Sequence, residues 1–593
     1  MSTLLWVLVG ILLYTSLAMA LSARGLLPSS MKVTGPILTV HTKRGRAFLD
    51  WLSSPRRLWR AWGNFGVGIA VVIMFGAFLA VLFSALSAMT EPEAARIARP
   101  QDALVIPGVN QFLPWAAAVD ILVGLVVGLV VHEGGHGLLC RVEDIEIESM
   151  GIALIALIPL GAFVKPDEES QRAADRGGQT RMFAAGVTNN FLVTLLTFVL
   201  LFALVAGFVA VAPGVHVGGA LPGSAADEAG LEHGDVITAV DGVAVDDEET
   251  FEAALADADR EVTVDRHDAD PATVERSLIV TRAVVDAPVG TGTTVLAVDG
   301  EEMYTRSAFA AALEGEEVVE LETDGGTVRF PVGVFVSTVE EGGPLGEAGA
   351  PDVPMLIHSV GGEATPDNDA VSAVLSETEP GETVEVVAYH EVGEGDGTDP
   401  WDGERHTYEV TLGEHPQAGH GYLGVGGIQQ GTSGVVVDDF GIDVYPADQY
   451  HALLGGTGWG DDPVSTFVSR TFALLVLPFA SVIDPALGYN FAGFNGEITN
   501  FYEVSGPLGA GVVFALVNVL FWTGWVNLNL GIFNCIPAYP LDGGHILRSC
   551  VEATLARLPG EATPGLAGAI TTAISLVMIL SLVGLLFLPQ LIG

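Results

Sequence analysis

The stretch His132-Glu133-Gly134-Gly135-His136 ends an apolar run that begins near Pro114. Ionisable side chains are costly in hydrocarbon, so their presence at the end of such a run suggests function. On a helix, His132 and His136 lie four residues apart and share one face. Two imidazoles at that spacing can hold zinc, and Glu133 can take a proton from a metal-bound water. The stretch therefore predicts a metal-dependent hydrolytic site built into a membrane helix.

The composition divides the chain into two chemistries. Half of the 593 residues are hydrophobic and the mean hydropathy is +0.47, yet the net charge is −47. Residues 213–450 hold 50 of the 72 acidic residues, seven Arg and no Lys. A surface with so many acidic residues and so few lysines resembles the surfaces of proteins from salt-loving archaea. In dilute buffer the negative charges would repel one another. An acidic disordered tail is the alternative, but strand-like patterns of Val, Ile, Leu and Gly in this region disfavour it.

Apolar runs predict the membrane topology. Six runs reach spanning length, at about 3–21, 65–89, 115–139, 182–212, 507–535 and 565–589. The loop 22–64 carries eight Lys or Arg and one acid, Asp50, so the positive-inside rule places it in the cytoplasm and the N-terminus outside. Counting forward, the ends of the third and fifth spans face the cytoplasm, and the acidic block is extracytoplasmic. Two shorter apolar stretches, 150–164 and 471–485, predict a re-entrant β-hairpin and an interfacial helix on the outer face.

The acidic block is repetitive. Tight turns at Asp241-Gly242, Asp299-Gly300 and Gly361-Gly362 recur after 58 and then 62 residues. Each unit reads as a strand, the turn and a short helix. The lead-in 222–231 of the first unit, with a looser copy at 343–349, resembles the bacterial and archaeal form of the PDZ domain, which binds extended peptides at a sheet edge. We therefore expect PDZ-like domains at 213–285 and 341–430 and a partial unit at 286–340, while a β-rich spacer that binds nothing is the alternative.

A second motif, Asn534-Cys-Ile-Pro-Ala-Tyr-Pro-Leu-Asp-Gly-Gly-His545, follows the fifth span. A catalytic zinc usually takes three protein ligands and a water, and Asp542 is a candidate for the third ligand. Pro537 and Pro540 end the helix and leave irregular backbone at membrane depth, which is tolerated where protein or a water cavity satisfies it. Because the predicted topology brings both motifs to the same side of the membrane, their side chains can meet.

Together the two motifs resemble site-2 proteases, a family of intramembrane zinc metalloproteases with HExxH on one span and NxxPxxxxDG on a later one. The chain keeps all spacings with His132, Glu133, His136, Asn534, Pro537, Asp542 and Gly543. The stretch 158–165 resembles the family's re-entrant hairpin, and Gly186-Val-Thr-Asn-Asn190 resembles its GxxxN segment.

The resemblance implies a role for each residue. It implies one Zn²⁺ per chain, held by His132, His136 and Asp542, with Glu133 as the general base. Asn534 and Asn190 are then candidates for hydrogen bonds to the substrate backbone, within a substrate-binding region that includes Pro537 and Gly543. Asp542 as a helix cap, Asn190 as an interhelical hydrogen-bonding residue and His545 as a spare ligand remain alternatives. The thiols Cys140, Cys535 and Cys550 are expected to be packing residues rather than ligands.

The predicted fold class is a polytopic α-helical membrane protein with about six transmembrane helices, a re-entrant β-hairpin and inserted extracytoplasmic PDZ-like domains. The remaining parts are an N-terminal pair of spans with a basic loop at 1–113, the two catalytic membrane halves at 114–212 and 505–593, and a linker at 431–504. The function implied is an intramembrane zinc endopeptidase that cleaves membrane-anchored proteins. The alternative is a zinc-binding membrane scaffold or transporter.

The expected partners are membrane-anchored protein substrates, the lipid bilayer and peptide or protein C-termini at the PDZ-like domains; no nucleic-acid partner is expected. A transmembrane helix hides its peptide bonds, so a protease must first unwind it. The stretch 150–164 is a candidate for offering a strand edge to the unwound segment. A different type of membrane protease, with a Glu on a following soluble helix as the third ligand, is made improbable by the Asp542 motif.

Overall fold

The structure is a computed structural model. It describes residues 3–28, 30–90, 105, 107, 113–155, 158–256, 258–285, 287–390, 401, 403–415, 419–457, 460, 462–483, 488–557 and 565–587. The chain forms two compact units. The first, here the membrane unit, comprises Met1–Ala210, Asp448–Gly496 and Tyr502–Gly593, and the second, here the β unit, comprises Val211–Ala447 and Glu497–Phe501.

The long helices belong to the membrane unit and the short ones mostly to the β unit. In chain order the α-helices are α1 Thr3–Ala23, α2 Lys43–Leu52, α3 Arg56–Thr90, α4 Ala118–Val142, α5 Glu168–Ala173, α6 Arg176–Phe208, α7 Ala225–Glu228, α8 Glu248–Ala256, α9 Arg306–Leu313, α10 Pro344–Glu347, α11 Asn368–Ser376, α12 Ala447–Leu454, α13 Pro463–Val476, α14 Ala480–Ile483, α15 Ala510–Asn534, α16 Asp542–Leu555 and α17 Leu566–Phe587.

Most strands lie in the β unit. In chain order they are β1 Met31–Thr34, β2 Ile37–His41, β3 Ile147–Ile155, β4 Ile158–Pro166, β5 Val209–Val211, β6 Val215–Ala220, β7 Val236–Val240, β8 Val243–Ala244, β9 Glu261–Arg266, β10 Ala269–Glu275, β11 Leu278–Ala283, β12 Thr294–Val298, β13 Glu301–Glu302, β14 Val318–Thr323, β15 Gly326–Pro331, β16 Val334–Val336, β17 Thr338–Val339, β18 Met355–Val360, β19 Glu363–Ala364, β20 Thr383–His390, β21 Glu404–Thr411, β22 Gly413–Glu414, β23 Gly421–Tyr422, β24 Val425–Gly426, β25 Val435–Asp438, β26 Ile442–Val444 and β27 Tyr502–Val504.

Five helices among the described residues are long and apolar enough to cross a membrane: Arg56–Ala88, Trp115–Val142, Arg176–Phe208, Ala510–Asn534 and Leu566–Phe587. They correspond to five of the six predicted spans. The other predicted span, 3–21, is also helical as α1, but its described apolar part, Val9–Ala23, is shorter than a full crossing. Residues 588–589 of the last predicted span lie outside the described residues. The chain is therefore a polytopic α-helical membrane protein that carries β domains.

The predicted strand pair at 150–164 is present as β3 and β4, and it belongs to a larger sheet. The antiparallel order is β1-β2-β3-β4, with β2 paired to β3 from Ile37 opposite Ile155 to His41 opposite Gly151. The hairpin β1–β2 comes from the basic loop 22–64, to which the sequence analysis gave no β-structure. One edge of β3 is thus already occupied by this chain's own N-terminal segment.

Ion pairs connect α3 to α6 and to the end of α4 in the membrane unit. The Glu143 carboxylate, 2% exposed, accepts hydrogen bonds from Arg60 Nε at 3.2 Å and Arg181 Nε at 2.8 Å. Arg60, Glu143 and Arg181 lie on α3, at the end of α4 and on α6. A buried carboxylate is tolerated where opposite charges and hydrogen bonds compensate it. Glu143 therefore fixes the point where the three helices meet.

The amphipathic segment predicted at 471–485 begins earlier in the structure. The helix α13 starts at Pro463, where the Asp462 side chain caps it by accepting from the backbone N–H of Ser465. Val464, Val468 and Phe472 are exposed and four residues apart, so they form an apolar stripe along one face. The stripe extends the interfacial prediction toward the N-terminus of the helix.

In the β unit the structure confirms the threefold repeat. The turns Asp241-Gly242, Asp299-Gly300 and Gly361-Gly362 each have two residues with positive φ, between 48° and 87°. This conformation matches the twist of a two-residue hairpin and favours Asp-Gly and Gly-Gly pairs. A strand precedes each turn (β7, β12, β18) and a short helix follows it (α8, α9, α11).

The three repeats share one strand order. The paths are β10-β9-β7-β6, β15-β14-β12-β11 and β21-β20-β18-β16. The middle unit, predicted to be partial, therefore has the same four-strand path, and what it lacks is the short lead-in helix that the others have in α7 and α10. Each repeat also has its own buried core.

The strand pairing shifts the sequence-based boundaries. Strand β11 lies before the predicted boundary at 285 but pairs within the middle sheet. Strands β25 and β26, in the predicted linker 431–504, extend the middle sheet at β11 and the first sheet at β6. The segment after the third repeat thus completes the first two, which local sequence patterns did not indicate.

Candidate metal centre

The second motif places Asp542 at the start of a helix but not as its cap. Helix α15 ends at Asn534 and α16 begins at Asp542, after the turn that contains Pro537 and Pro540. Leu541 is the N-cap residue, and no side chain makes a capping hydrogen bond there. The Asp542 carboxylate points instead toward α4, which excludes the helix-cap interpretation.

The three predicted ligands converge. Asp542 Oδ2 lies 3.1 Å from His132 Nε2 and 3.3 Å from His136 Nε2, and the two Nε2 atoms are 3.1 Å apart. The three side chains are 9%, 12% and 11% exposed for His132, His136 and Asp542. Within the described chain they form the one cluster of at least three His, Cys, Asp or Glu side chains that could hold a metal ion.

The proton positions suit a metal ligand set. His136 Nδ1 lies 2.8 Å from the Met182 carbonyl oxygen, which can only accept, so Nδ1 carries the proton and Nε2 presents a lone pair. Ligands about 2.0–2.2 Å from a tetrahedral zinc are about 3.3–3.5 Å from one another, close to the distances observed here. Asp542 Oδ2 and His132 Nδ1 are buried without a hydrogen-bond partner in the described chain. A divalent cation at the centre of the three atoms would compensate the buried carboxylate.

Glycines let the helices approach the ligands. A Cβ on Gly186 of α6 would lie 2.7 Å from His136 Nε2 and 2.8 Å from His132 Cε1. A Cβ on Gly543 would lie 2.3 Å from the carbonyl oxygens of Cys535 and Ile536. Both contacts are shorter than real Cβ atoms make, so these positions require glycine. Gly543 thus holds the start of α16 against the end of α15 and sets the position of Asp542.

The three glycines that follow Glu133 differ in role. A Cβ on Gly135 would lie 2.7 Å from the Ala185 carbonyl oxygen, and one on Gly137 would lie 2.6 Å from Leu49 Cδ1. These two glycines serve helix packing. A Cβ on Gly134 would meet nothing within 4 Å, so open space begins at the backbone beside the general base candidate.

Glu133 is held by the sheet. Its Oε2 accepts a hydrogen bond from the backbone N–H of Val164 on β4 at 2.7 Å. That N–H therefore points away from β3 and along the free edge of β4. The contact fixes the carboxylate beside the ligand helix, and sequence spacing alone gave no indication of it.

The predicted substrate-binding residues lie in different surroundings. Asn534 is half-buried, and its Nδ2 donates to the Leu530 carbonyl of its own helix at 3.0 Å. The carbonyl of Pro537 is buried and accepts from Ser575 Oγ at 3.1 Å. Asn190 is fully buried on α6, and neither of its amide atoms has a hydrogen-bond partner among the described residues.

The neighbouring Asn189 was not singled out by the sequence. Its Oδ1 accepts from the Trp62 indole N–H at 3.0 Å, and its side chain lies in the same cavity wall as Glu133. Adjacent residues on a helix point about 100° apart. The sequence contains two adjacent asparagines, Asn189 and Asn190, but it did not show which of the two amides faces the cavity that Glu133 lines.

His545 is not part of the ligand cluster. Its ring stacks on Phe183 with centroids 4.2 Å apart, and Phe183 in turn contacts His136 edge-on at 6.5 Å. His545 lines a separate polar cavity of about 560 Å³ with Arg548 and Glu552. The alternative of a spare ligand therefore has no support in the geometry.

Comparison with known proteins agrees with this site. The model of peptidase family M50 matches residues 120–580, and the chain belongs to this family. Membership confirms the resemblance to site-2 proteases and identifies a membrane metalloprotease. Among curated proteins, an uncharacterised protein of Methanocaldococcus jannaschii, MJ0971, is 25% identical over 173 residues, which are 29% of this chain and 45% of that protein. The chain thus spans less than half the length of that relative.

The close contact at Gly186 yields a test of the metal centre. In Gly186→Ala the new methyl group forces apart α6 and the two imidazoles, so we expect metal affinity to fall by about tenfold or more, as for changes to groups that orient ligands. Metal retained after dialysis against graded chelator measures this. Gly207→Ala is the matched control, because a Cβ at Gly207 of the same helix meets nothing within 4 Å. Equal metal retention in both variants would contradict the geometry.

Proposed function

We propose that this protein is an intramembrane zinc endopeptidase that cleaves transmembrane segments of membrane-anchored proteins, as in regulated intramembrane proteolysis. The convergence of His132, His136 and Asp542 from two distant membrane segments supports the proposal most directly. Family membership supports the peptidase class. One zinc ion per chain fits a set of two neutral imidazoles and one carboxylate.

The residues around the metal position divide the chemistry among them. Zinc, when bound, supplies Lewis-acid polarisation of a peptide carbonyl and makes a nearby water more acidic. Glu133 receives the proton of the attacking water and then delivers it to the leaving nitrogen. The Val164 N–H holds this carboxylate in place, and the Met182 carbonyl keeps His136 in the tautomer that presents Nε2.

Replacing Glu133 by Gln separates an enzyme from a scaffold or transporter. Gln is nearly isosteric but cannot take the proton, so cleavage of a model transmembrane peptide should fall by about 10²–10⁴-fold. Zinc content should stay unchanged, because Glu133 is not a ligand. The measurement pairs elemental analysis with peptide cleavage by the purified full-length chain. Unchanged cleavage by the variant would contradict the role of Glu133 as the base, and zinc binding without cleavage by wild type would favour the scaffold or transporter.

We also propose that an unwound substrate pairs with β4. The sequence-based hypothesis named the whole stretch 150–164, and the edge of β3 within it is occupied by β2. No described strand pairs with the other edge of β4. Since Val164 points its N–H along that edge, Ala162, two residues away in regular register, shares the orientation. The free edge therefore leads an extended substrate to Glu133.

Proline at Ala162 tests this docking mode. Proline is tolerated where the strand N–H faces away from the ladder, so Ala162→Pro should leave the β3–β4 hairpin intact. It removes one N–H offered to substrate, and we expect cleavage to fall roughly threefold to tenfold, the value of one hydrogen bond. Ala162→Ser, which keeps the N–H, is the control, and zinc content checks the fold. Normal cleavage by the proline variant would refute the docking mode; Leu157, a further site for such a test, lies outside the described residues.

We propose that the chain lies in the cell membrane with the basic loop 22–64 and the metal centre toward the cytoplasm, and the β unit outside. The eight basic residues of that loop support this orientation. The repeats of the β unit would act as PDZ-like domains, which bind peptide or protein C-termini or exclude substrates with bulky ectodomains. The acidity of this unit suits a concentrated-salt surrounding.

Removal of the β unit distinguishes a filter from a spacer. The strands β25 and β26 belong to this unit, so the deletion should cover 212–447 rather than end at 430. A short Gly-Ser linker can join the ends, because Val209 O and His451 Nε2 are 2.9 Å apart. If the unit excludes bulky substrates, cleavage of an untrimmed substrate should rise toward that of a pre-trimmed one. An unchanged ratio of the two rates would support a spacer.

A further inference from the structure

A cavity of about 640 Å³ lies beside Glu133 in the membrane unit. Glu133 and Gly134 of α4 line it on one side, and Ala162 and Val164 of β4 line it on another. Because a Cβ at Gly134 would meet nothing within 4 Å, the cavity reaches the helix backbone next to the general base. The volume falls within the range of about 300–1,000 Å³ that is typical of ligand pockets.

The N-terminal segment builds another wall of this cavity. Phe48 and Leu52 of α2 and Trp59 and Trp62 of α3 line it. The Trp59 indole N–H donates to the Leu52 carbonyl at 2.7 Å, and the Trp62 indole N–H donates to Asn189 Oδ1 at 3.0 Å. Since both donors are satisfied, the two rings present apolar surface to the cavity. The HEGGH and Asp-Gly motifs contain none of these residues.

The side chains that line the cavity favour an apolar occupant. Most lining side chains are aliphatic or aromatic, and the polar ones are Thr42, Glu133 and Asn189. Phe48 and Val130 both line the cavity and are 56% and 46% exposed, so the cavity is open to the outside.

We propose that this cavity is the subsite for one large apolar side chain of the substrate, adjacent to the bond that is cut, and that the N-terminal segment thereby determines specificity. The proposal rests on the proposed function. The occupant is a substrate side chain rather than a lipid chain because Glu133 lines the same space as Ala162 and Val164 of β4, the strand proposed to pair with substrate. A substrate strand that pairs with Ala162 lies beside this cavity, while the Val164 N–H remains bonded to Glu133. The N-terminal hairpin and helices are then part of the substrate site as well as of the membrane anchor.

Two pairs of variants of the full-length chain test the proposal. Val130→Phe adds bulk one turn before Gly134 on the same helix and narrows the cavity, while Phe48→Ala widens it. Val119→Phe on α4 and Phe75→Ala on α3 are the matched controls, because both positions are exposed and line no part of the cavity. The probes are model transmembrane peptides that differ only in the residue after the scissile bond: Ala, Leu or Phe.

The expected result is a change of preference rather than of activity alone. Wild type should cleave the Leu and Phe peptides at least about tenfold faster than the Ala peptide, measured as kcat/KM. In Val130→Phe the ratio of the rate on the Phe peptide to the rate on the Ala peptide should fall at least about tenfold. Phe48→Ala should lower the preference for Leu by roughly the same factor, and the controls should match wild type.

The outcomes separate this proposal from the proposed function. A wild type that cleaves all peptides, with preferences unaltered in both cavity variants, overturns the subsite and leaves the peptidase standing. An equal loss on every peptide also overturns it, since that result indicates a lipid-filled or structural cavity. No cleavage by wild type overturns the proposed function and this inference with it.

Cross-linking gives a second readout that does not depend on turnover. The Glu133→Gln chain is incubated with the same peptide carrying a photoreactive benzoylphenylalanine after the scissile bond, and the adducts are mapped by mass spectrometry. Adducts on Phe48, Leu52, Trp59 or Trp62 support the subsite, and their yield should fall at least about fivefold in the Glu133→Gln/Val130→Phe chain. Adducts confined to residues outside the cavity contradict it.

Discussion

The membrane unit is organised around one electrostatic constraint: a carboxylate and two imidazoles whose nitrogen and oxygen atoms lie 3.1–3.3 Å apart while their side chains are about nine-tenths buried. Removing a carboxylate from water costs several kcal/mol unless a charge or hydrogen bonds compensate it. The short distances between the three side chains also require residues without a Cβ on the flanking helices, and Gly186 and Gly543 meet this requirement. The positions of α4, α6, α15 and α16 therefore follow from the need to bring three ligand atoms to one point.

Other polar side chains in the spans also need hydrogen-bond partners, and they find them within their own helices. Thr188, Asn529 and Asn534 each donate to the carbonyl four residues earlier in their own helix. Such bonds satisfy the side chain without a partner from another helix, so these residues can remain in an apolar environment. Asn190 differs, since its amide is fully buried without a partner among the described residues.

The sequence predicted that His132, His136 and Asp542 would lie together, because metal-ligand chemistry constrains residue type and spacing together. His132, His136 and Asp542 were identified from two motifs, and the hairpin turns of the β unit from Asp-Gly and Gly-Gly pairs whose backbone conformation few residues adopt. It did not predict that β2 pairs with β3 or that Trp62 orients Asn189. These contacts join segments more than a hundred residues apart, and nothing in the local pattern of either segment specifies its partner.

The pairing of β6 with β26 has a consequence for the assembly of the β unit. Strand β6 ends at Ala220 and its neighbour β26 begins at Ile442. The last strand of the first sheet is therefore synthesised only after the whole intervening chain. At synthesis rates of 5–20 residues per second, that interval is roughly 10–45 s. Contacts so distant along the chain are formed late in folding. The nascent β unit therefore exposes an unpaired strand edge for that time.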